Sequence, residues 1–271
     1  MQVIIILPLI LFAVLYLLIP SKTASSEWKG KYGEKLTEDE LKRLSKQGVE
    51  GKIFRNVYLP KDNGETSEVD VVFITTKGIF LIESKNYSGW IFGNENDRNW
   101  TATLQGGVKN QFYNPIWQNK SHVRWMEKVV GESVPLYSII VFSERCELKS
   151  ITLTSNEVAV IKRNELMPTI MAVWNSKPDR VHSGTIELIT EKFQKMANVD
   201  EETKTAHIEA VNLHKERDAQ FTIKDGRNMI CPLCGKNLVI RTAQRGTDIG
   251  KQFYGCSGFP TCRYTRAIEN T

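Results

Sequence analysis

Residues 68–85 read EVDVVFITTKGIFLIESK, from Glu68 to Lys85. Val, Ile and Phe crowd both halves, and Thr76-Lys77-Gly78 interrupts them, the pattern of two β-strands joined by a tight turn. Three charges stand inside these apolar runs: Asp70, Glu83 and Lys85. A charge in a buried strand is costly unless something compensates it. With Thr76-Lys77 as a two-residue loop, Thr75 pairs with Gly78 and Asp70 falls opposite Glu83, their β-carbons roughly 5 Å apart. With Lys77-Gly78 as the loop, Asp70 faces Lys85 instead, and a bulge at Gly78 shifts the register by one. Glu83 and Lys85 are two apart on one strand and share a face. Facing carboxylates repel, so they imply a bound cation or a raised pKa.

Working outward, KIFRNVYL (52–59) predicts a strand, and GEKLTEDELKRLSKQ (33–47) an amphipathic helix with Leu36, Leu41 and Leu44 on one side. Trp90-Ile91-Phe92 and Trp100-Thr101-Ala102-Thr103 flank a polar turn, a second hairpin. Pro115 opens a helix reaching about Val130, and LYSIIVF (136–142) and Val158–Ile161 are further strands. Ile186, Ile189, Phe193 and Met196 recur at helical spacing, and residues 200–220 read as surface helix. Together these predict a mixed sheet with helices packed on it, an α/β or α+β domain. His122, His182, His207 and His214 lack metal-ligand spacing and read as surface residues; Cys146 reads as a small, partly buried side chain. No Gly-rich phosphate loop is present, so no nucleotide cofactor is expected.

The chain has 271 residues, 41% apolar and 25% charged, as in ordinary globular proteins, and a net charge of +5. Its first residues differ. Val3–Pro20 (VIIILPLILFAVLYLLIP) is uncharged and apolar, at the short end of what spans a bilayer. No basic residue precedes it, which speaks against a cleaved signal peptide, while Lys22, Lys29, Lys31 and Lys35 follow it. The positive-inside rule then predicts a single-pass anchor in the cell membrane, amino terminus outside and the rest cytoplasmic. Ser21–Ser26 reads as a polar tether.

At the other end, Cys231-Pro232-Leu233-Cys234-Gly235 and Cys256–Cys262 offer four thiolates. Zinc takes four ligands tetrahedrally, and four cysteines close the site, so this zinc is structural and not catalytic. Reduced thiolates suit the same cytoplasmic compartment. Arg227, Lys236, Arg241, Arg245, Lys251, Arg263 and Arg266 stand against one acid, Asp248, across Arg227–Arg266, a positive field suited to a polyanion.

CPLCGKNLVIRTAQRGTDIGKQFYGCSGFPTCRYT (231–265) resembles the C4 zinc finger at the C-terminus of bacterial type IA topoisomerases. The resemblance implies DNA binding, chiefly to single strands, with Tyr254, Phe259 and Tyr264 as stacking faces and Arg241, Arg245, Lys251 and Arg263 along phosphates. Phe253 is expected in the small core around the zinc. Topoisomerase activity is not implied, because no nucleophilic tyrosine domain is recognisable.

An acid followed by Glu-x-Lys on the next strand is the pattern of the PD-(D/E)xK nucleases. Gly33-Glu34, Glu68-Val69-Asp70, Gly78–Gly89 and Asn114-Pro115-Ile116-Trp117-Gln118 resemble the nuclease-related domain, NERD, in order and spacing. The resemblance implies a restriction-endonuclease-like core and metal-dependent cleavage of nucleic acid, here expected to be DNA. Asp70 and Glu83, with the Ser84 carbonyl, would hold Mg²⁺; Lys85 would position or help deprotonate the attacking water; Glu34 would reach the same site or a second metal; Gln118 would orient Lys85 or the water. The alternative is a catalytically inactive, membrane-tethered DNA-binding protein in which the same residues form a salt-bridge cluster. The organisation expected is an anchor over 1–21, the nuclease-related domain over 28–165, a helical linker over 166–226 and the zinc finger over 227–271.

Overall fold

A computed structural model describes residues 22–221, 231, 236–244, 248–260 and 262–268. The expected transmembrane helix falls on residues 1–21, outside these. Among the described residues no helix is long and apolar enough to cross a membrane, so the described fold carries no transmembrane element. What remains is a mixed α+β fold.

The hairpin of residues 68–85 forms as strands β2 (Thr66–Thr75) and β3 (Gly78–Lys85), with Thr75 opposite Gly78 and Val71 opposite Ile82. Of the alternative registers the two-residue loop Thr76-Lys77 is the one adopted. Gly78 enforces it: its φ is +140°, and a Cβ there would lie 2.4 Å from the Pro135 carbonyl oxygen. Strand β1 (Lys52–Pro60) pairs antiparallel with β2 on the other side.

The first helix, α1 (Lys22–Leu44), begins well before the expected Gly33 and absorbs the stretch read as a polar tether. Small residues such as Thr23, Ala24 and Ser25 carry little signal of their own, and the helix is set by its far end, where Leu41 and Leu44 are buried. Strands β4 (Gly89–Asn94) and β5 (Asn99–Thr103) form the second hairpin, with Ile91 opposite Ala102, and β6 (Lys109–Tyr113) extends it. Helix α2 (Pro115–Val130) starts on an Asn114 cap whose side chain accepts from the Ile116 amide at 2.9 Å.

Strand β7 (Leu136–Phe142) runs parallel to β3 with Glu83 beside Ile140 and Lys85 beside Phe142. Strands β8 (Cys146–Thr152) and β9 (Val158–Lys162) and helices α3 (Leu166–Ser176), α4 (Ser183–Ala197) and α5 (Glu201–Phe221) complete this part of the chain. The main sheet has the order β1-β2-β3-β7-β9; a second sheet has the order β6-β5-β4-β8. A three-stranded ribbon follows: β10 (Leu238–Thr242), β11 (Gln252–Cys256) and β12 (Thr265–Ala267).

Alternation along β2 and β3 sends side chains to two cores. Leu81, Val72 and Ile74 pack with Met126 of α2 and with Ile189 and Phe193 of α4. Phe73, Phe80 and Ile82 pack on the other face with Leu41 and Leu44 of α1 and with Leu166 and Ile170 of α3. Within the stretch assigned to a helical linker, α3 and α4 therefore close both faces of the sheet. Each of these fully buried side chains stabilises the fold by about 1.5–3 kcal/mol through removal from water.

Candidate active site and metal centre

Asp70 is the residue at which the regular ladders lapse. The β2–β3 pairing ends at Val71–Ile82, and the β1–β2 pairing omits Asn56, which would face Asp70. Asn56 has φ +52°, the one positive value outside glycine among the described residues. Such conformations persist where the surroundings over-determine them. Freed from the ladder, Asp70 accepts the Ser84 amide through Oδ2 at 2.8 Å, which brings it beside Glu83.

Glu83 is 1% exposed, and two cationic or polar groups flank it. Lys85 Nζ donates to its Oε1 at 2.6 Å and to Gln118 Oε1 at 3.0 Å. His122 Nε2 stands 3.3 Å from Glu83 Oε2, near enough for an ion pair but out of line for a hydrogen bond. Glu83 Oε2, His122 Nε2 and Glu34 Oε2 are all buried without a hydrogen-bond partner among the described residues. Across the histidine ring, Nδ1 and Ser67 Oγ lie 2.8 Å apart.

Helix α1 approaches from the opposite face. Thr37 Oγ1 and Ser84 Oγ are 3.2 Å apart, and Asn86 Nδ2 donates to the Lys29 carbonyl at 2.6 Å. Gly33 makes the approach possible, because a Cβ there would lie 2.9 Å from Asn86 Cβ. Docked in this way, Glu34 joins the acidic group.

Charge and burial set the protonation of the cluster. Burial pushes the Asp70 carboxyl well up, and the neighbouring Glu83 charge adds to this. Burial also pushes on Glu83, but the Lys85 ammonium and then His122 outweigh it and hold this carboxyl down. Lys85 is pulled down by burial and held up more strongly by Glu83 and Asp70, so it stays an ammonium. Glu34 rises to about 6 through burial, then Glu68, with Glu83 adding and Arg55 opposing. Two acids gathered around one lysine, with Glu34 close enough to act on both and two carboxylate oxygens of Glu83 and Glu34 unpartnered among the described residues, suit a hard cation. The oxygen donors of Asp70 and Glu83 are of the kind that Mg²⁺ takes.

Sequence reasoning missed His122, which is 5% exposed instead of lying on the surface. Its signal was present: it follows Gln118 by four residues on the helix opened by Pro115, so both share the face toward β3. His207 is also less exposed than expected, with Nδ1 2.9 Å from Thr66 Oγ1 and Nε2 3.5 Å from Glu68 Oε2. Cys146 is buried and its thiol donates to the Ser143 carbonyl at 3.1 Å.

In the ribbon, the Sγ atoms of Cys231, Cys256 and Cys262 lie within 4.8 Å of one another. Among the described residues no other trio of such ligand atoms is so close. Cys231 and Cys262 Sγ are 3.5 Å apart, too far for a disulfide and near the roughly 3.8 Å edge of a zinc–thiolate tetrahedron. The Gly258 amide donates to Cys256 Sγ at 3.2 Å, a bond suited to a thiolate. The donor set fits structural zinc. The fourth expected ligand, Cys234, and the expected phosphate contact Arg245 lie outside the described residues.

A groove of about 610 Å³ on the ribbon is lined by Arg241, Phe253, Phe259 and Arg263 among others. The Arg241 guanidinium lies 5.5 Å from the centre of the Phe259 ring, and Phe259 is 57% exposed. Tyr254 is half-buried, and Lys251 pairs with Asp248 at 2.8 Å on the surface. Tyr264, expected as a stacking face for a base, is 3% exposed and packs instead against Trp117 of α2.

Residues 29–143 match the nuclease-related domain family, and residues 228–271 match the topoisomerase DNA binding C4 zinc finger. The chain is 34% identical over 144 residues to an uncharacterized protein of Bacillus anthracis, covering 53% of this chain and 66% of that protein. It is 38% identical over 55 residues to the uncharacterized protein YrdD of Escherichia coli (strain K12), covering 20% and 27%. Neither match reaches two thirds of the relative's own length. No solved structure matches the chain.

Proposed function

We propose that this chain is a Mg²⁺-dependent nuclease that hydrolyses phosphodiester bonds in DNA and holds its substrate, as single strand, with the zinc ribbon. The observation that carries this reading is the Asp70, Glu83 and Lys85 set on adjacent strands, in which Glu83 is buried and its Oε2 lacks a hydrogen-bond partner among the described residues. When bound, Mg²⁺ would lower the pKa of a coordinated water and neutralise charge on the scissile phosphate. Asp70 and Glu83 supply hard oxygen ligands whose direction is held by the Ser84 amide, Lys85 and His122. Lys85 acts as a charged donor toward the phosphate and the water, since its neighbours keep it protonated. Glu83 and Gln118 take two of the three Lys85 donor directions and so aim the remaining one. Glu34 contributes a further carboxylate once deprotonated, which happens near pH 6.

On the ribbon, Arg241 and Arg263 would follow phosphates and Phe259 would stack on a base. The pairing of a nuclease-related domain with a topoisomerase-type finger in one chain supports nucleic acid as the substrate class. The test is incubation of the protein with single-stranded, duplex and branched DNA and with RNA, each with Mg²⁺ or Mn²⁺. Cleavage of DNA, with preference for substrates having single-stranded segments, is expected.

A second reading is supported by one observation. The Glu83–Lys85 contact at 2.6 Å already neutralises both charges, as a salt-bridge cluster in a binding-only protein would. That reading expects salt-sensitive DNA binding with no cleavage of any substrate in the same panel.

A further inference from the structure

Trp117 and Gln118 are consecutive residues in the first turn of α2, and they serve different neighbours. Gln118 accepts from Lys85 in the acidic cluster at 3.0 Å. Trp117 is 8% exposed, and its indole N–H donates to the Glu95 carbonyl at 2.8 Å, which fixes the ring. The ring centre lies 5.2 Å from that of Tyr264 in the ribbon, edge to face at 67°. Tyr113, at the end of β6, meets Trp117 at 6.2 Å and 73°.

The same apolar cluster contains Cys231 and Cys256, each 1% exposed, with Leu238 and Cys262 packed against it. The Tyr264 carbonyl accepts from the Cys256 amide at 2.9 Å, so the tyrosine is tied to a cysteine strand. The cysteine end of the ribbon and the start of α2 thus share one small core. A module of this size buries too little apolar surface to hold its shape without metal. Its aromatic contact with Trp117 depends on that shape.

We infer that the zinc ribbon is docked on the nuclease-related domain through Trp117 and Tyr264, and that zinc, by holding Tyr264 in place, keeps the first turn of α2 and Gln118 in register with Lys85. Trp117 is a positioning residue in this arrangement. The inference rests on the reading of Lys85 and Gln118 as parts of a nuclease site for its functional meaning, but the docking itself does not. The ribbon covers the apolar faces of Trp117 and Tyr113, and the groove lined by Arg241 and Phe259 is carried at a set distance from Lys85.

Hydrogen exchange of the full chain, followed by mass spectrometry in the absence of Mg²⁺ and nucleic acid, tests this. Peptides covering residues 113–122 contain no zinc ligand. On removal of zinc with a chelator their amides should exchange roughly tenfold faster. In Trp117→Ala the same amides should exchange fast with zinc and without it, while zinc release on thiol modification shows that the ribbon still loads. Tyr264→Leu removes the contact from the ribbon side and should behave like Trp117→Ala, which keeps the test valid if one variant folds poorly. Exchange over 113–122 that ignores zinc, or that keeps its zinc dependence in both variants, would overturn the inference. Because no substrate is present, failure of docking and failure of the nuclease reading are separate outcomes.

Discussion

Lys85 Nζ and Gln118 Oε1, 33 residues apart in sequence, meet at 3.0 Å where β3 runs under the first turn of α2. A neutral amide removes one donor direction from the ammonium without touching its charge, so its effect is on aim and not on electrostatics. Gln118→Ala should therefore lower kcat for DNA cleavage by about tenfold while leaving KM largely unchanged. Steady-state kinetics on a single-stranded oligonucleotide checks this, and Gln118→Glu should restore little because it competes with Glu83 for the lysine.

His122 holds the far oxygen of Glu83 from 3.3 Å and is itself steadied by Ser67. Removing it leaves the Glu83 carboxylate free to rotate away from the cation it would ligate. His122→Ala should weaken Mg²⁺ binding by about 10–100-fold, read by calorimetric titration of Mg²⁺ into the protein. The zinc content should be unaltered, because His122 contributes nothing to the cysteine cluster.

The raised carboxyls make a pH prediction with a definite sign. Glu34 goes from 4.5 to about 6 on folding, so the folded state binds this proton more tightly than the unfolded one. Its contribution then favours the fold below the lower value and is lost as pH rises through the upper one. Metal-free protein should lose on the order of 1 kcal/mol from this group between about pH 4.5 and 7, after allowance for its partial solvation. Glu34→Gln should abolish that loss. Added Mg²⁺ should raise Tm little at about pH 5 and distinctly at about pH 7.5, where the carboxylates are free to take it. Melting curves with and without Mg²⁺ at the two values decide the matter.

Much of the acidic site was legible because two facts are local. Thr76-Lys77 with Gly78 after it sets the hairpin register, and that register carries Asp70 toward Glu83, where the Ser84 amide holds it. Cys231, Cys256 and Cys262 were legible from spacing, since thiolates that bind one ion must converge. What escaped the sequence is long-range or weakly coded. The start of α1 at Lys22 carries no apolar stripe, so packing of Leu41 and Leu44 decides it. Glu95 reads as one more polar residue in a turn, yet it is 3% exposed, accepts from the Thr154 and Ser155 amides at 2.7 and 2.9 Å and pairs with Lys120. Tyr264 was assigned to DNA because an aromatic beside arginines fits stacking; only the fold puts Trp117 against it.

The ribbon groove makes its own prediction. Arg241 is stacked on Phe259 and Arg263 is exposed beside it, so both present charge without a carboxylate partner in the groove lining. Replacing each by glutamate should weaken binding of single-stranded DNA and reduce the slope of log affinity against log salt by about one for every phosphate no longer neutralised. Fluorescence anisotropy over a salt series measures both. Zinc content should stay constant, since neither side chain is a ligand.

In the proposed nuclease, cleavage depends on a cation held by Glu83. The most direct test compares wild type with Glu83→Gln, which keeps size and hydrogen bonding but removes the ligand charge. Cleavage of labelled single-stranded DNA with Mg²⁺ is followed on gels, and binding of the same oligonucleotide without Mg²⁺ by anisotropy. The variant should cut at least about a hundredfold more slowly while binding equally well through the ribbon. A variant that cuts as fast as wild type, or a wild-type protein that binds DNA and cuts nothing, would contradict it.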